Sequence, residues 1–150
     1  MLIAAADIGD LAHAIQLALA PVFLLTGIAG ILNVMTGRLS RIIDRGRNLV
    51  EQPLRHLSSL DEVNRELATL EKRRHLASAA ITASTFAGLM ACTVIPVLFL
   101  EMLLGFELKF LISLLFVIST MSLVVGLGYF LREVHLATKT VRFTARKGVD

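Results

Sequence analysis

The chain has 150 residues, 55% hydrophobic and only 18% charged, with a mean hydropathy of +0.74. Soluble domains carry roughly 45–50% apolar and about 25% charged residues, so this composition excludes an ordinary soluble domain and indicates a small integral membrane protein. The net charge is +3, and the one cysteine, Cys92, excludes an intrachain disulfide.

Residues 1–13 read as an outer segment. The stretch MLIAAADIGD has no Lys or Arg and so lacks the basic region of a secretory signal; the first apolar block is expected to remain as an anchor. Asp7, Asp10 and His13 are spaced by three and could offer ligands to a divalent ion. Three such residues at a fraying helix start fit a hydrated membrane-surface helix better, and neither metal nor cofactor is expected.

A helix crossing a hydrocarbon core needs about 20 mostly apolar residues. Residues 14–36, 77–101 and 109–131 meet that requirement, joined between the second and third by a short outer turn, 102–108. Within the spans, Asn33, Thr36, Thr93 and Thr120 are polar but uncharged, suited to interhelical hydrogen bonds or to lining a narrow wet path. Span two repeats Ala80, Ser84, Gly88 and Cys92 every fourth position, beside a parallel row of Ala79, Ala83, Ala87 and Ala91, a small-residue face for close packing with span three or a neighbouring subunit. No charge lies in mid-membrane in any span, which argues against a proton relay. The stretch Val125-Gly126-Leu127-Gly128-Tyr129 would need a re-entrant loop to act as a potassium filter; inside an apolar run it reads as helix.

The loop 37–76 is expected to be a helical hairpin. Leu39, Ile42, Ile43, Gly46, Leu49 and Val50 recur at three and four, one stripe along a helix. Gln52-Pro53 is a stop, and Ser59-Leu60-Asp61-Glu62 matches a capping box. Leu60, Val63, Leu67 and Leu70 form a second stripe, so the two helices are expected to pack stripe to stripe, continuing from spans one and two.

Fourteen of the 15 Lys and Arg residues fall in two places, nine between Arg38 and Arg74 and five between Arg132 and Lys147. Lys and Arg mark the cytoplasmic side. The N-terminus is therefore expected outside, with the hairpin and the basic tail, 132–150, in the cytoplasm. Arg38, Arg41 and Arg45 occupy a face of their own, expected to attract anionic lipid headgroups. Glu133 leaves span three at the same level and is expected to pair with Arg38 or Arg41. Nucleic acid is not an expected partner, because the loop lacks stacking aromatics and acidic residues interrupt the basic row.

The stretches LLTGIAGILNVMTGRLSRIIDRGR, LEKRRHL and YFLREVHLAT resemble an uncharacterised bacterial membrane family, domain of unknown function 2721. The likeness covers roughly residues 20 to 142, with Asn33, Thr36-Gly37-Arg38-Leu39, Arg41 and Asp44-Arg45 its most specific part. It implies a three-span protein of the bacterial inner membrane and no assigned activity.

The sequence has no nucleophile elbow, phosphate loop, HExxH or CxxC pattern, so no enzyme is expected. The expectation is an all-α, three-span homo-oligomer embedded in lipid, acting as a narrow pore or a membrane scaffold. The alternative is an anchored interaction module whose hairpin docks a protein partner.

Overall fold

A computed structural model describes residues 2–51, 60–105 and 107–146, with side chains described at 9, 11–51, 60–105 and 107–138. The protein is all-helical within them: α1 spans Leu2–Glu51, α2 Leu60–Leu104 and α3 Lys109–Arg146. All three are long and apolar enough to cross a membrane. In the most apolar 18-residue stretch of each, only 11, 22 and 11% of residues are buried within the chain. Side chains such as Phe23, Leu114, Val117 and Met121 stay exposed, which suits a lipid surrounding rather than water. This is a multi-pass membrane protein.

The helices are longer than their apolar cores. The two short helices read in 37–76 are continuations: α1 passes unbroken through Thr36 and Gly37, and α2 contains both Leu60–Leu76 and the apolar run. Helices persist through Pro21 and Pro96, although Pro96 withholds the amide that the Cys92 carbonyl would accept. The Gln52-Pro53 stop and the Ser59 cap lie outside the described residues. Between α2 and α3 the chain turns at Gly105, whose φ of 67° lies in the left-handed region. Its amide donates to the Glu101 carbonyl at 2.9 Å, a glycine C-cap that ends α2. Leu108 opens α3 by accepting from the Ile112 amide at 3.0 Å.

Burial follows a seven-residue repeat on every helix. On α1 it falls on Ala14, Pro21, Ile28, Met35, Ile42 and Leu49. On α2 it falls on Val63, Leu70, Ala77, Ser84, Ala91 and Leu98, with Ala80, Ala87 and Val94 between them. On α3 it falls on Ser119, Gly126 and Glu133. A repeat averaging 3.5 residues keeps one seam of a helix turned toward its neighbours, as in coiled coils.

Within the chain, the expected small-residue face is packed in part. Ala80 and Ser84 are fully buried, Gly88 is half-buried and Cys92 is exposed. Steps of four run ahead of a 3.6-residue helix by about 40° each, so a row of strict fours rotates off the contact. The real seam alternates three and four.

The chain divides into two compact units. One comprises Met1–Ile31 with Ala83–Val124, the other Leu32–Thr82 with Val125–Asp150. In the first, Ala18, Val94 and Leu98 form a core with Ile112, Leu115 and Phe116 against them. Ser119 Oγ donates to the Ala87 carbonyl at 2.7 Å and Ser122 Oγ to the Ala83 carbonyl at 2.8 Å, which fixes α2 and α3 antiparallel there. In the second unit, Ile42, Leu49, Leu70 and Ala77 form the core, with Leu39 and Leu67 packed on it. Ile43, Val50 and Leu60, also expected on the stripes, are 42, 66 and 62% exposed, because a seam of this repeat is too narrow to include them.

Candidate functional site

Three long uncharged stretches end close to one another in kind. Residues 11–37 carry no Asp, Glu, Lys or Arg, and Arg38 is the next residue; 75–100 are likewise uncharged and preceded by Arg73-Arg74; 110–131 are uncharged and followed by Arg132-Glu133. The second unit brings one charged residue from each of these boundaries together.

The Glu133 side chain is fully buried, at a seam position of α3. Arg38 on α1 donates from Nε to its Oε2 at 3.0 Å, with Nη2 also 3.0 Å from that oxygen. Arg73 on α2 donates from Nε at 3.1 Å and from Nη2 at 2.8 Å to Oε1. Each guanidinium thus holds one carboxylate oxygen. The Arg38 guanidinium carbon also lies 5.6 Å from the centre of the Phe130 ring, a cation–π contact from α3 that holds the arginine in place.

A buried carboxylate without partners would carry a desolvation cost of several kcal/mol. Two charge-assisted donor sets offset it, and the cluster retains one net positive charge. The arginines remain partly hydrated, with 34% of the Arg38 and 20% of the Arg73 side chain exposed. The clamp ties α1, α2 and α3 to one another within this unit. One heptad farther along, Arg45 Nε donates to Glu66 Oε1 at 2.8 Å. Arg38 with Arg73 and Arg45 with Glu66 place α1 and α2 antiparallel, stepping seven residues on each. The second pair is more exposed, at 44 and 26%, and such pairs contribute at most about 1 kcal/mol.

Arg38, Arg41, Ile42, Arg45, Leu70 and Arg73 line a groove of about 250 Å³. No carboxylate pairs with Arg41 among the described residues. A second groove, about 280 Å³, is lined by apolar residues including Ile43, Val50 and Leu67, with Arg47, Glu71 and Arg74 at its edges.

Of the alternatives read for Glu133, Arg38 is the partner and Arg41 is not. Arg73 was not singled out by sequence; its place beside the boundary of an uncharged run, one heptad before Ala80, was the available signal. The polar span residues are not gathered into one site. Asn33 and Thr36 are exposed in the second unit, while Thr93 and Thr120 are half-buried in the first. Thr36 Oγ1 donates to the Leu32 carbonyl at 2.9 Å, Thr93 to Leu89 at 2.9 Å and Thr120 to Val117 at 2.9 Å. Each hydroxyl satisfies itself on its own helix. The side chains of Asp7 and Asp10 lie outside the described ones, and His13 is exposed. No cluster of three metal-ligating residues occurs among the described residues. Residues 125–129 are α-helical within α3, so they form no carbonyl-lined loop.

The chain belongs to a family of proteins of unknown function, DUF2721, whose family model matches residues 18–143 and therefore includes the whole clamp. No curated protein and no solved structure matches the chain.

Proposed function

We propose that the chain is a non-enzymatic, homo-oligomeric scaffold of the bacterial inner membrane, with its N-terminus outside and residues 37–76 and 132–150 on the cytoplasmic side. The orientation rests on the placement of 14 of 15 Lys and Arg residues on one side of the apolar runs. The observation that carries the scaffold reading is the Glu133 clamp. The best-partnered buried charge among the described residues joins helix to helix, which favours a rigid frame.

The scaffold is favoured over a pore because the span hydroxyls are already engaged. Ser119 and Ser122 donate across to α2 carbonyls, and Thr93 and Thr120 to their own helices. The exposed apolar rows on α1, including Ile15, Leu19 and Val22, and on α3, including Leu114, Val117, Met121 and Val124, are open to lipid and to a second copy of the chain alike. Native mass spectrometry of the gently solubilised protein tests the assembly; one closed homo-oligomer is expected, and a lone monomer would overturn it. Vesicles containing the protein are expected to pass no more small ions than empty ones. Flux that Thr93→Val and Thr120→Val abolish would restore the pore.

A second reading, an anchored interaction module, draws on Val50 and Leu60, which are left outside the core, and on the apolar groove beside Val50. Co-purification of one stoichiometric companion protein, lost on Val50→Asp, would favour it.

A further inference from the structure

We propose that the groove formed by Arg38, Arg41, Arg45 and Arg73 binds a phosphate group, presented at this depth by an anionic lipid headgroup. This rests on the membrane placement proposed above, and deepens it by naming a ligand chemistry and its site.

The donors remain after internal pairing. A guanidinium has five N–H groups in a rigid fork. Arg38 and Arg73 use Nε and Nη2 on Glu133, and Arg45 uses Nε on Glu66. Arg41 has no carboxylate partner among the described residues. Four guanidinium charges therefore face two carboxylates, leaving two positive charges in excess, and among the described residues no acidic one lines the groove. Planar forks of this kind match phosphate oxygens two at a time.

The clamp also prepares the site. Glu133 fixes Arg38 and Arg73 from the buried side, so their remaining donors are held before any ligand arrives, which lowers the ordering cost of binding. The groove is amphipathic as well. Ile42 and Leu70, 4 and 8% exposed, line it between the arginines. A phosphate carried on a diacylated glycerol presents that combination, the charge on the phosphate and the apolar surface on the first acyl methylenes. Its depth agrees: Arg38 directly follows 27 uncharged residues, 11–37, and Arg73 lies two residues before another uncharged run, 75–100, where headgroup phosphates meet a spanning helix. A volume of about 250 Å³ equals that of about eight waters at about 30 Å³ each, enough for a phosphodiester.

The test is a native mass spectrometry titration of the full chain in uncharged detergent. The probes are phosphatidylglycerol, phosphatidylcholine with the same acyl chains, and inorganic phosphate. The variants are Arg41→Gln, Arg41→Gln/Arg45→Gln and, as a control outside this groove, Arg47→Gln. Arg41 makes no ion pair among the described residues, so its replacement is expected to leave folding intact, and a melting curve for each variant checks that. Phosphatidylglycerol is expected to bind at least tenfold more tightly than phosphatidylcholine, with about fivefold lost for each groove arginine removed and less than twofold for Arg47→Gln. Inorganic phosphate that binds alone with the same arginine dependence, and displaces the lipid, would keep the phosphate site but assign it to a free anion. Equal binding of both probes to wild type and double variant would overturn the proposal. So would an Arg47→Gln loss as large as that of Arg41→Gln, which would mean diffuse attraction. The same spectra record oligomeric state, so a monomer that keeps the arginine dependence removes the assembly and leaves the site standing.

Discussion

Arg73 holds one oxygen of the fully buried Glu133 through two N–H donors, at 3.1 and 2.8 Å. The partners are 60 residues apart in the chain, on α2 and α3, and Arg38 on α1 takes the other oxygen.

Glu133→Ala is therefore expected to lower stability by about 3 kcal/mol. Breaking a buried pair costs roughly 3–5 kcal/mol, and the partial exposure of both arginines places this case at the lower end. Thermal melting of the full chain in detergent checks the value; a loss below about 1 kcal/mol would remove the clamp as a structural element. The double variant Glu133→Ala/Arg73→Ala is expected to lose less than the two single variants together, because both delete the same interaction.

Arg73→Lys keeps the charge but is not expected to rescue the clamp. An ammonium cannot deliver two donors from a planar fork to one oxygen, so about 1–2 kcal/mol should be lost in the same melting assay. Full wild-type stability in Arg73→Lys would show that charge alone suffices.

The seam of α2 yields three outcomes on adjoining positions. Ala87 is fully buried, and Ala87→Leu should destabilise by about 1–3 kcal/mol through overpacking. A Cβ at Gly88 would meet Ile28 Cγ2 at 3.6 Å and Leu25 Cδ2 at 3.9 Å, ordinary contact distances. Gly88→Ala should thus be neutral or stabilising by up to about 1 kcal/mol, since alanine is the better helix former. Cys92→Leu, at an exposed position, should stay within about 0.5 kcal/mol. A large loss at Cys92 and none at Ala87 would return the contact to the row of strict fours.

Leu49 and Val50 separate the seam from its flank. Leu49 is fully buried and Val50 is 66% exposed. Leu49→Ala should cost about 2–5 kcal/mol, while Val50→Ser should change little. Equal, large losses would indicate that Val50 is covered in the assembled protein and would point to an interface between chains or with a partner.

The number of helices long and apolar enough to span a membrane, and the apolar runs within them, were legible in the sequence, because hydropathy over about 20 residues is a property that adds up locally. The stripe through Ile42 and Leu49 was legible for the same reason, as helical spacing is a local property. The width of each stripe was not. Ile43 and Ile42 are chemically the same, and only the position of neighbouring helices left one 42% and the other 4% exposed.

Sequence alone determined that the first charges bordering the apolar runs include Arg38, Arg73-Arg74 and Arg132-Glu133. Tertiary structure decided which of them became partners. A carboxylate at a seam position is forced inward by the heptad repeat, and once out of water it needs donors wherever they can reach. Arg38 and Arg73 reach it; Arg41, three residues on, turns to the groove wall instead. That division follows from geometry in three dimensions, where a rotation of about 100° per residue separates the buried clamp from a guanidinium on the groove wall.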